Sequence, residues 1–159
     1  MAVDEYNVQL ARQVNAYLRS QNWKFEFNDE DGTFKFGMSL SNKMKTCRVL
    51  ILVGDEHICT YAICPINCDH KDRAAIGRVN EFITRANYNL RFGNFELDYR
   101  DGEVRYKSSH FCGSSIPDLD VVERVVDIPY LMLNRYGNGL LSVIFTDADP
   151  AQEIAKIED

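Results

Sequence analysis

The sequence predicts an α+β fold, a mostly antiparallel sheet of about six strands packed on one face against helices. Two period-2 apolar segments fold about Asp31-Gly32 and Asp101-Gly102, and Asp-Gly between alternating strands is a strong short-range hairpin signal. Segments with helical apolar spacing lie before, between and after the strands. Short turns join the strands, so neighbours run antiparallel. The order is α-β-β-β-β-α-β-β-α, with a short further helix at the end. At 159 residues, with no linker, repeat or low-complexity segment, residues 1–159 are expected to form a single domain.

Residues 3–20 read as an amphipathic helix, with Val3, Tyr6, Leu10, Val14, Tyr17 and Leu18 on one side. Trp23 to Phe27 and Phe34 to Leu40 alternate as strands. A two-residue turn at Asp31-Gly32 would pair Phe27 with Phe36, Phe25 with Met38 and Trp23 with Leu40, while the polar stretch Asn28 to Glu30 also fits a wider loop. Thr46 to Val53 is a nearly continuous β-branched and apolar run, which predicts a central strand covered on both faces. Gly54-Asp55-Glu56 turns the chain into His57–Cys64, which Pro65 stops.

Asp69 is expected to cap a helix running to about Leu90, with Asp72 completing the cap. The next hairpin spans about Phe95 to Lys107. A two-residue turn at Asp101-Gly102 places Arg100 opposite Glu103, Asp98 opposite Arg105 and Glu96 opposite Lys107, with Tyr99 facing Val104 and Leu97 facing Tyr106. Ser108 to Ser115 reads as a loop. Asp118 to Tyr136 reads as a helix that Pro129 should kink or restart, and Gly137-Asn138-Gly139 reads as a break. Leu140 to Phe145 fits either a strand or a buried helical segment. Asp149, Pro150 and Gln152 start the terminal helix.

A net charge of −6 and a pI near 5.1 argue against nucleic acid as partner. No 18-residue apolar run suggests a membrane span, and the charged N-terminus is unlike a signal peptide. Five cysteines without an export signal point to reduced thiols in a cytoplasm.

Cys64, Cys68 and His70 place three metal-type ligands within seven residues, with Cys59 or Cys47 as possible fourth ligands. Read structurally, the same residues are a strand end, a proline stop and a helix cap, and no bound zinc is expected. His110 and Cys112 could form a thiolate–imidazole pair, with Gly113-Ser114-Ser115 supplying backbone N–H groups, but a nucleophile also needs an orienting group and the expected reading is a solvated loop. Gly37, Gly54 and Gly93 make no phosphate loop. Glu96 and Asp98 have basic partners on the hairpin. No catalytic, cofactor-binding or metal residue is therefore assigned. Tyr130–Leu133 and Leu140–Phe145 carry more apolar surface than one buried stripe needs, so either they are buried deeply within one chain or they form an association surface, and a homodimer covering them or a sheet edge is expected.

Certain words in the chain point to a family: Val79-Asn80-Glu81-Phe82, Asn87, Leu90-Arg91-Phe92-Gly93, Phe95-Glu96-Leu97-Asp98 and Asp101-Gly102-Glu103-Val104-Arg105-Tyr106. Arg135-Tyr136, Leu140-Leu141, Val143-Ile144 and the helix from Pro150 to Ile154 add to them. With the element order, they resemble the YbjN-like family, described as bacterial sensory-transduction regulators, whose domain is similar to type III secretion chaperones. Pro129 and the segment Ser108–Ser115 depart from the family pattern. The resemblance implies a non-enzymatic, cytoplasmic protein-binding or regulatory module, chaperone-like in recognising an unknown protein partner. It carries no catalytic residues. The competing expectation is a small metal- or redox-responsive regulator using Cys64, Cys68 and His70.

Overall fold

The computed structural model describes residues 6–159. Its elements, in chain order, are α1 (Val8–Ser20), β1 (Glu26–Asn28), β2 (Thr33–Ser39), β3 (Thr46–Val53), β4 (His57–Ile63), α2 (Arg73–Asn89), β5 (Asn94–Leu97), β6 (Val104–Phe111), α3 (Leu119–Phe145) and α4 (Pro150–Glu158). The strands form one antiparallel sheet in the order β1-β2-β3-β4-β6-β5. The α+β class and the order of strands and helices are as the sequence implies, with α4 following α3. The expected position of Val3 lies outside the described residues.

Helices cover one face only. Cys47, Val49, Ile51 and Val53 of β3 are buried, while Thr46 and Arg48 are exposed and Leu50 and Leu52 half-buried. The expected central strand covered on both faces is therefore covered on one. The opposite side is an open face, on which Leu50 lies beside Tyr61 and Leu52 beside Cys59. On the covered face Phe34, Val49, Ile51, Ile58 and Tyr106 pack beneath the helix layer, in which α3 lies over β3, β4 and β6 and contacts α1, α2 and α4.

Both hairpins pair two residues away from the expected register. β1 and β2 meet as Phe27↔Phe34 and Asn28↔Thr33, and β5 and β6 as Phe95↔Tyr106, Glu96↔Arg105 and Leu97↔Val104. The cause is the same in each. The loop holds four residues, not two, with glycine last at φ +72° (Gly32) and +80° (Gly102). Asn28 Oδ1 accepts from Glu30 N and Asp98 Oδ1 from Arg100 N, while Gly32 N and Gly102 N donate back to the Asn28 and Asp98 carbonyls. These Asx turns start the loop two residues earlier than an Asp-Gly turn alone would. A shift of two keeps the paired side chains on their expected faces, whereas Tyr99, expected opposite Val104, falls in the loop and is exposed.

Pro129 lies inside an uninterrupted 27-residue helix, and the break expected at Gly137-Asn138-Gly139 is absent. A Cβ on Gly137 would come within 2.2 Å of Asn42 Nδ2, and one on Gly139 within 2.9 Å of the Phe82 ring. These glycines serve close packing, not chain reversal. Asn42 Nδ2 donates to the Leu133 and Asn134 carbonyls at 2.9 and 3.0 Å, which ties the β2–β3 turn to α3. Leu140–Phe145 is consequently helical. Asp72, not Asp69, caps α2, accepting from Ala74 N and Ala75 N. Asp149 caps α4, with Pro150 as its first residue.

The apolar segments expected to face a second chain are largely internal. Leu133, Leu140 and Val143 are fully buried and Ile144 nearly so, because α3 is surrounded by the sheet and three helices. Leu131 and Phe145 remain exposed. The surplus inferred from a one-sided helix is used inside the chain.

Candidate functional site

The main-chain groups at the two sides of the sheet distinguish its edges. Strand β5 is the outer strand on one side. There the Asn87 side chain accepts from Phe95 N at 2.7 Å and donates to the Phe95 carbonyl at 3.0 Å. One side-chain amide thus satisfies both edge groups of Phe95, a device that keeps a strand edge from pairing with another chain.

On the other side β1 covers only part of β2. Pairing ends at Glu26↔Lys35, whereas β2 continues to Ser39 along β3. Leu40 N donates to the Lys45 carbonyl, and the Met38 carbonyl accepts from Thr46 Oγ1, so even-numbered residues direct their main-chain groups toward β3. By alternation, Gly37 and Ser39 direct N–H and C=O outward along the uncovered edge. The segment entering β1 leans to the helix side, where Trp23 packs against Tyr17, Phe36 and Tyr130. A groove of about 590 Å³ remains between that segment and the open face, with Phe25, Gly37, Leu50 and Ile63 among its lining residues. Lys24, Lys35 and Arg48 also line it, against the single carboxylate of Glu26.

Gly37 is unusual. Its backbone is outside the left-handed region, and a Cβ would meet only the Cys47 carbonyl at 4.0 Å. Neither conformation nor packing requires glycine there. Glycine weakens a strand interior, and there it often marks a bulge, a bend or a place where another group comes close to the backbone.

The equivalent stretch of β6 is also uncovered. β5 ends at Asn94↔Lys107, and β6 continues to Phe111 beside β4. Cys112 N donates to the Glu56 carbonyl, so Ser109 and Phe111 direct their main-chain groups away from β4. The Phe111 side chain is 74% exposed.

Between the edges the open face is held by charge. Glu96 accepts from Arg105 Nε at 2.7 Å and from Lys107 Nζ at 2.5 Å, and the Arg105 guanidinium lies 4.0 Å from the centre of the Tyr61 ring. Burial by itself would raise the Glu96 carboxyl, but these two hydrogen bonds hold it below its ordinary value. Of the expected hairpin pairs, Glu96–Lys107 forms diagonally. Asp98 instead pairs with Arg100 inside the loop.

The Cys64–Cys68–His70 cluster does not assemble. Cys64 and Cys68 are buried and His70 is exposed, and among the described residues no group of three or more His, Cys, Asp or Glu is placed to hold a metal. Burial pushes the Cys47 thiol up to about 12 and the Cys64 thiol up to about 11, the reverse of what a ligand or redox-reactive thiolate needs. His110 and Cys112 meet only where the Cys112 thiol approaches the His110 carbonyl at 3.7 Å, so no imidazole–thiolate pair forms. His110 lies in β6, which runs through half of the expected loop Ser108–Ser115. Sequence reading missed Gly37. Its signal was a lone glycine inside an alternating strand.

A family described as "YbjN: Putative bacterial sensory transduction regulator" matches residues 11–141. The chain belongs to the YbjN family. The words that carry the YbjN resemblance are structural: Phe82, Phe95, Tyr106 and Tyr136 build the core, and Asn87 closes the β5 edge. No curated protein matches this YbjN chain. A chain of the HopA1–SchA chaperone–effector complex is similar over 82% of this chain and 96% of its own, with 14% identity and a TM-score of 0.47. A likeness that distant carries no inference about partners. Among the described residues no helix is long and apolar enough to cross a membrane.

Proposed function

We propose that this YbjN chain is a non-enzymatic, cytoplasmic protein-binding module, acting as one domain, that recognises an extended segment of a partner protein by adding it to its sheet. The observation that carries this reading is the unequal treatment of the sheet edges. Phe95 is sealed by Asn87, whereas Gly37, Ser39, Ser109 and Phe111 present main-chain groups outward along uncovered strand. Strand addition uses such groups for affinity and neighbouring pockets for specificity. The residues lining the β2 groove include no His, Cys or hydroxyl nucleophile, which favours binding over catalysis.

A homodimer enters this reading through the β6 edge, because Ser109 and Phe111 combine unpaired main chain with an exposed aromatic ring and no charge of their own. The binding reading is tested by panning a display library of random peptides against the immobilised full chain, then locating the bound peptides by amide hydrogen exchange. Enriched peptides that protect β2 or β6 amides are expected. Failure to enrich any peptide, or protection confined to the helix layer, would overturn strand addition.

A further inference from the structure

We infer that the uncovered stretch of β2 at Gly37 and Ser39 docks an extended segment of another protein in which a large apolar residue is flanked, two positions away, by acidic ones. This rests on the protein-binding reading above and deepens it by naming the edge and the chemistry of the segment.

Three observations combine. First, Gly37 and Ser39 direct their main-chain groups away from β3, and β1 stops short of them. A segment laid along this edge would satisfy those groups by the ladder that already joins Glu26 to Lys35. Second, Gly37 has no Cβ and no internal need to lack one. The residue directly across from it can therefore lay a large apolar side chain over the glycine, as aromatic residues do across strand glycines. Half-buried Leu50 and buried Ile63 line the same groove. Third, the groove is basic in a chain of net charge −6. Lys35 faces Glu26 in the β1–β2 register, which leaves Lys24 and Arg48. The ion-pair contact of Arg48 is with Glu103 at 3.8 Å, and its side chain is 71% exposed. Carboxylates two positions from the residue across Gly37 share its face of the sheet and would meet these cations.

The same charges argue against a second copy of this chain as the occupant. Two-fold pairing of this edge would bring Lys24 and Arg48 of one copy toward the same residues of the other, and like charges across an interface are costly.

The test uses the full chain and three short synthetic extended peptides with the same central apolar residue, the positions two residues to either side of it being all Glu, all Lys or all Ser. Affinity is read by fluorescence anisotropy at low salt. The Glu peptide should bind tightest and lose affinity as salt rises. Arg48→Glu should weaken the Glu peptide about fivefold and favour the Lys peptide. Gly37→Val has room for its side chain and suits a strand, so it should melt at the same or higher temperature yet bind the Glu peptide about tenfold more weakly. Exchange at Gly37 and Ser39 should slow on binding.

Equal affinity for the Glu and Lys peptides, undiminished binding by Gly37→Val, or protection at Ser109 and Phe111 in place of Gly37 would each overturn this inference while leaving the protein-binding reading intact. A concentration-dependent dimer that Gly37→Val dissolves would show a second copy on the edge and would overturn it too. No binding by any of the three peptides would remove this inference. Failure of the random library as well would remove the broader reading.

Discussion

Pro129 removes one backbone N–H from the middle of α3, and the carbonyl four residues earlier, that of Val125, loses its helical donor. Ser108 on β6 supplies the replacement, its Oγ donating to the Val125 carbonyl at 2.5 Å. A proline that should break the helix is thereby accommodated by one hydroxyl on the neighbouring strand. Ser108→Ala should cost about 1–3 kcal/mol, because it leaves a buried carbonyl without a donor. In a Pro129→Ala background the helix regains its own N–H and the serine should matter much less. Urea unfolding of the four proteins of this double-mutant cycle measures the coupling, and strictly additive effects would refute the pairing. Gly137 is a second case of residue-level context. Alanine normally stabilises a helix interior by ~1 kcal/mol over glycine. Here its Cβ would displace Asn42, so Gly137→Ala should destabilise by about 1–3 kcal/mol through loss of the Asn42 bonds to the Leu133 and Asn134 carbonyls. A higher denaturation midpoint for this variant would contradict the account.

Among the elements, the β5–β6 hairpin has a defined pH response. Glu96 accepts from both Arg105 and Lys107, and its carboxyl is held below the ordinary value of 4.5. A carboxyl depressed in the folded state contributes stability that is complete above its unfolded value and is lost as pH falls through the folded one. Glu96→Gln should therefore be less stable than the parent at neutral pH. The difference should shrink as acid protonates Glu96 below pH 4.5. Exposed pairs are worth ~1 kcal/mol or less each, so the effect should be small but resolvable in paired urea curves at the two pH values. A gap that stayed constant with pH would assign the loss to packing. The same hairpin shows why charge pairing alone could not set the register. Glu96 meets Lys107 whether that residue is directly opposite or diagonal, whereas the Asp98 Asx turn admits only the four-residue loop.

At the scale of the whole molecule, the sheet has one helix-covered face and two partly uncovered edges of different character. The β2 edge is flanked by cations. The β6 edge carries the exposed Phe111 ring, with Arg91 and Arg124 lining the groove beside Ser109. Self-association, where it occurs, should therefore use β6. Light scattering across micromolar concentrations should show mass rising above 18.3 kDa, and Phe111→Glu should return it to that value. A mass that stays at 18.3 kDa at every concentration would remove the homodimer from the proposed function.

The chain's own alternation and helical spacing determined the α+β class, the antiparallel strands, the faces of both hairpins and the family, because those signals depend on residues close in sequence. The YbjN words could be read directly since they encode core aromatics and the Asn87 edge closure, both close in sequence to the strand they serve. Tertiary structure decided what depended on distant neighbours. Gly137-Asn138-Gly139 stayed helical because Asn42 and Phe82 press against it, Pro129 because Ser108 reaches the orphaned Val125 carbonyl, and Cys64 and Cys68 are core thiols because tertiary packing buries them, which in turn raises their pKa. The late apolar segments turned inward because α3 is packed by the sheet and by three helices, a surrounding that its own periodicity does not encode. The uncovered edge at Gly37 follows from where β1 stops pairing, and strand length against a partner is settled only when the sheet assembles.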